Sequence, residues 1–92
     1  MEKLNSREET IILGLLEDRL IELFECEILT FKGENKEQTN NYRNELIREH
    51  YILLLKIREM FNFKGSIFPE SRRKGQKIKE YENKAKQLIE NN

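Results

Sequence analysis

The sequence predicts an all-α domain: an antiparallel helical hairpin followed by a third, C-terminal helix, a three-helix bundle completed by oligomerisation. Three observations predict it. The acids are sixteen Glu against the single Asp18, a choice that favours helix interiors over caps and turns. Proline occurs once, at Pro69, and glycine four times. Apolar residues recur at three- and four-residue spacing in three stretches separated by turn formers, and no stretch reads as a strand.

With 92 residues the chain is one domain, large enough for a core without disulfides or metal. The first helix is expected over about 7–31, opened by a capping box of Ser6 with Glu9. Ile12, Leu13, Leu16, Leu20, Leu23, Phe24 and Phe31 gather on one broad face, widened by Ile11, Leu15 and Leu29 on one flank and by Ile21 and Ile28 on the other. A loop over 32–38, around Gly33, leads into a second helix over about 39–62, capped by Asn35 with Gln38 or by Thr39. Its stripe is Tyr42, Leu46, Leu53, Ile57 and Met60, with Ile47, Leu54 and Phe61 beside it. A joint over 63–69 follows, with Gly65 suited to a C′ position and Pro69 to the first turn of the next helix. The third helix, about 70–90, carries Ile78, Tyr81, Ala85 and Leu88 as a narrow seam, and Gly75 is expected to weaken its start by about 1 kcal/mol relative to Ala.

Charge excludes some functions. Seventeen basic residues balance seventeen acidic ones, so the chain is no simple polycation built for nucleic acid. The balance is uneven along the chain: residues 1–40 carry ten acids and five bases, residues 41–92 seven acids and twelve bases. The two halves can attract each other within a molecule or between molecules. Apolar runs such as YILLL are too short for a membrane span, and no cleavable leader opens the chain, so a cytoplasmic protein is expected. Abundant Ile, Lys, Asn and Glu hint at a bacterial or phage origin.

Catalysis and metal binding lack their usual ingredients. With Cys26 and His50 as the single Cys and His, a structural zinc site is excluded. Glu49 and His50 are adjacent, not spaced as a di-iron bundle requires. GENKEQ lacks the Lys-Ser/Thr of a phosphate loop. No cofactor, metal or enzymatic activity is expected.

Three polar residues fall inside apolar arcs: Glu27, Arg43 and His50. If the hairpin turns near residue 35, Glu27 lies opposite Arg43, which predicts a buried ion pair; Arg43 facing a ligand or partner is the alternative. His50 falls near Leu16 and Leu20, one turn from Glu17, and is expected as a core histidine hydrogen-bonded once. Its sharper roles are a general base, a pH-sensitive switch or a ligand contact. A base needs a nucleophile or an orienting group, and a Cys26–His50 dyad is disfavoured by about two helical turns of separation. Arg72, Arg73, Lys74, Lys77 and Lys84, with Tyr81, form a basic stripe that could track phosphate, or could pair with the acidic first helix.

These features leave three functional readings. The favoured one is a non-enzymatic interaction or regulatory protein that self-associates, as a dimer or larger, and grips a partner protein through Ile21, Ile28, Ile52, Leu55 and Phe63. The second is a nucleic-acid or anion binder using 72–84. The third is an oligomeric bundle enclosing a small ligand near Arg43 or His50.

Overall fold

In the computed structural model, residues 3–25 and 36–91 are described, the side chains of 36–39 excepted. The chain is all-α: α1 (Ser6–Glu25), α2 (Lys36–Met60) and α3 (Arg73–Glu90), with no strand among the described residues. α1 and α2 form the antiparallel hairpin. α3 lies against both and runs in the direction of α1, since Lys74 meets Asp18 and Lys77 meets Glu25.

Four helix ends differ from the expectation, each for a local reason. The capping box at α1 is one residue earlier than Ser6 with Glu9. The Glu8 N–H donates to Asn5 Oδ1 at 2.8 Å, and the Asn5 N–H to Glu8 Oε1 at 2.9 Å. The Ser6 carbonyl instead accepts the Thr10 hydroxyl. α2 is already helical at Lys36, inside the expected 32–38 loop, as the helix formers Glu37 and Gln38 allow. It is closed by Asn62 rather than Gly65. Asn62 is left-handed (φ 56°), its N–H bonds the Glu59 carbonyl, and the Phe63 N–H bonds the Arg58 carbonyl. That pair is a Schellman motif, and asparagine is the non-glycine residue that best tolerates it.

The fourth difference is at α3, which starts at Arg73 rather than near 70. The Pro69 carbonyl accepts the Arg72 N–H at 3.0 Å, so Pro69 opens a turn instead of standing in the helix. Gly75 then packs on that turn: a Cβ there would lie 2.0 Å from the Pro69 oxygen. The glycine is therefore a close-approach residue, and its helix penalty is offset by the contact it permits.

The core holds Leu13, Leu20 and Leu23 of α1, Ile47, Tyr51 and Leu54 of α2, and Ile78 and Ala85 of α3. For α1 and α3 these lie on the expected faces. For α2 the helix is rotated. The expected stripe residues Tyr42, Leu53 and Met60 are 65%, 45% and 74% exposed, while Ile47, Tyr51, Leu54 and Arg58 point inward. Residues 51–57 are apolar on every side of the helix, so periodicity alone does not choose the buried face. Tyr51 and Arg58 are buried on the chosen face, Arg58 through its ion pairs with Glu17 and Glu82.

Candidate functional site

At the centre of the bundle lies an ionic cluster. Glu17, on α1, has no exposed surface. It accepts the Arg58 Nη2–H at 2.7 Å, the Ser66 hydroxyl at 3.0 Å and the Ile67 backbone N–H at 3.2 Å. Arg58, 6% exposed, also donates through Nη1 to Glu82 of α3. Burial disfavours the guanidinium charge, but Glu82 and Glu17 outweigh it and raise the Arg58 pKa. Ser66 relays the order onward, accepting the Phe68 N–H at 3.0 Å. One arginine thus ties α1, α2 and α3 together, and one carboxylate pins the joint. The sequence reading missed both residues as buried polar groups. The available signal was that Glu17 shares the face of Leu13, Leu20 and Phe24, and Arg58 that of Ile47, Tyr51 and Leu54.

His50 is half-buried, and its Nε2 is 2.6 Å from the Leu16 carbonyl oxygen. A carbonyl only accepts, so Nε2 carries the proton. Beside it is a shallow depression of about 250 Å³ lined by Arg19, Leu23, Leu46, Glu49, His50 and Leu53. Among the described residues no carboxylate is hydrogen-bonded to the ring, and Asp18 is paired with Lys74 of α3. Arg43 is half-buried, with Nε buried and lacking a hydrogen-bond partner among the described residues. Its expected partner Glu27, like Cys26 and Ile28, lies outside the described residues. A larger cavity, about 430 Å³, touches neither Arg43 nor His50; it lies over Tyr51, between the joint and α3. Burial, with the charge of Glu82, raises the Tyr51 pKa and keeps that phenol neutral.

The basic stripe is largely engaged. Lys74 pairs with Asp18, Lys77 with Glu25 at 2.9 Å, and Lys84 with Glu80 at 3.3 Å. Lys79 lies 3.4 Å from Glu70. Arg72 and Arg73 are exposed at the start of α3. Tyr81 is not open to a base: its ring stacks on Phe24 (centroids 4.8 Å apart, planes 5° apart), and Lys84 lies over it at 5.6 Å. Its hydroxyl donates to Glu25 Oε2 at 2.7 Å. That bond pushes the Tyr81 pKa up to about 12 and lowers that of Glu25.

Of the residues expected at a partner interface, Ile52, Leu55 and Phe63 are exposed, at 41%, 42% and 38%. Ile21 is half-buried and lines a cleft with Arg73, Lys74 and Lys77. The rotation of α2 adds a longer surface. Tyr42, Leu46, Glu49, Leu53, Lys56 and Met60 follow one another at spacings of four, three, four, three and four. All are exposed except Leu46, which is half-buried. On α1, Ile11 and Leu15 are also exposed. No described helix is long and apolar enough to cross a membrane, and no metal-binding cluster of His, Cys, Asp or Glu occurs among the described residues. No known protein family matches the chain, and no curated protein or solved structure is similar to it.

Proposed function

We propose that this chain is a small helical interaction protein, acting through the outer face of α2 on a protein surface rather than on a substrate. The observation that carries the reading is the row Tyr42, Leu53 and Met60, whose large side chains remain exposed although α3 has docked on the hairpin. Large apolar side chains left exposed along one helix face favour an association surface there. Ile52 borders the row, while Leu55 and Phe63 extend the apolar surface on other sides. Regulation by occupying a surface is the role such a chain fits.

The basic stripe has less in its favour as the working surface, because Lys74 and Lys77 are paired with α1 acids. Solution mass by light scattering, in low and high salt, tests the choice. A species heavier than the 11.2 kDa chain is expected, indifferent to salt and lost in the Leu53→Glu/Met60→Glu variant. A variant that associates as well as the wild type would sink the reading, and association that disappears in salt would return attention to the cations of α3.

A further inference from the structure

The outer face of α2 also suggests which partner it takes. Its six residues have the four–three spacing of a coiled-coil seam, but with Glu49 and Lys56 interrupting the apolar positions. Those two charges restrict the pairings. A parallel pair of such helices would set Glu49 on Glu49 and Lys56 on Lys56, like charge on like. An antiparallel pair symmetric about residue 51 would set Lys56 on Leu46 and Glu49 on Leu53, taking charges out of water against apolar side chains. An antiparallel pair centred on Leu53 avoids both. There Leu53 meets Leu53, Leu46 meets Met60 on each side of the axis, and Glu49 comes within one residue's rise of Lys56, twice. From Leu46 to Met60 the face is complementary to itself in that register, as an isologous interface requires, while Tyr42 falls opposite position 64, past the end of α2.

Shape agrees with charge. The depression of about 250 Å³ is lined by Leu46, His50 and Leu53, at the level where this register brings the opposing Met60. Met60 is 74% exposed and at the last turn of α2, and a flexible thioether suits an irregular hollow. We infer that the protein forms a two-fold dimer in which the outer face of α2 packs antiparallel on the same face of a second copy, centred on Leu53. The inference rests on the reading of this face as an association surface.

The test is a charge swap on the 92-residue chain, with dimer dissociation followed by sedimentation equilibrium. Glu49→Lys and Lys56→Glu each replace two attractive contacts with two repulsive ones, and each should weaken the dimer about tenfold. The combined Glu49→Lys/Lys56→Glu chain should recover to within about threefold of the wild type, since the pairs are restored with reversed sign. Circular dichroism melts check that each variant is folded; all three side chains changed here and in Leu53→Glu lie outside the core. Two results overturn the inference: a wild type that is monomeric throughout, or a combined swap as weak as the single ones. If the swap fails while Leu53→Glu still abolishes association, the register is wrong and the association surface stands. If Leu53→Glu leaves association intact, both fall.

Discussion

A carboxylate with no exposed surface depends on its partners, and Glu17 draws them from two segments, Arg58 of α2 and the Ser66–Ile67 stretch of the joint. Glu17→Ala leaves Arg58 with Glu82 alone and the Ile67 N–H without its acceptor. A loss of about 3 kcal/mol is expected in urea unfolding, within the range for breaking one side of a buried pair. A loss below about 1 kcal/mol would mean that Glu82 suffices. Tyr81 offers a pH signature. Its hydroxyl donates to Glu25, so the folded chain keeps the phenol proton to about pH 12, above the ordinary value near 10. The contribution is complete below the unfolded value and is lost as pH climbs from about 10 to about 12. Glu25 has the opposite sign: its folded value is lowered by the Tyr81 hydrogen bond and by Lys77, so its contribution fades as pH falls through that value. In a tyrosinate absorbance titration, Glu25→Gln should bring one late-titrating phenol back toward 10.

At the scale of elements, Gly75 separates local propensity from packing. Propensity says Ala at this helix position should gain about 1 kcal/mol. The Pro69 carbonyl, 2.0 Å from where a Cβ would stand, says otherwise, because backbone cannot swing aside as a long side chain can. Gly75→Ala should destabilise by about 1–3 kcal/mol in thermal unfolding, the usual cost of overpacking; a stabilised variant would show that the turn yields. The same competition explains what could be read from the sequence. α3 carries an apolar face with a clear polar back, and Leu13, Leu20, Ile78 and Ala85 are buried where periodicity puts them, although Ile11 and Leu15 leave the exposed side of α1 partly apolar. α2 has no clear polar back, because Ile52, Leu53 and Leu55 are apolar on three different sides. Arg58 and Glu17 were hidden by their charge, since each becomes inexpensive to bury only beside the other, 41 positions away. Helix ends turned on single residues: Asn5 in place of Ser6, Asn62 in place of Gly65.

At the scale of the whole molecule, the uneven charge along the chain resolves partly within it, through Lys74–Asp18 and Lys77–Glu25. Moderate salt should shift the melting temperature only slightly, since such half-exposed pairs contribute little. Arg58 acts on another level. It meets carboxylates from both neighbouring helices, so freeing α1 or α3 breaks one of its two ion pairs, and freeing α2 strands Glu17 and Glu82 together. A partial opening that frees α3 is therefore raised in free energy toward that of complete opening. Native-state hydrogen exchange should find the slowest amides of α3 exchanging with the same free energy as those of α1 and α2. In Arg58→Met, α3 should exchange first, by a separate and lower route. One guanidinium would then be what makes three short helices a single cooperative unit.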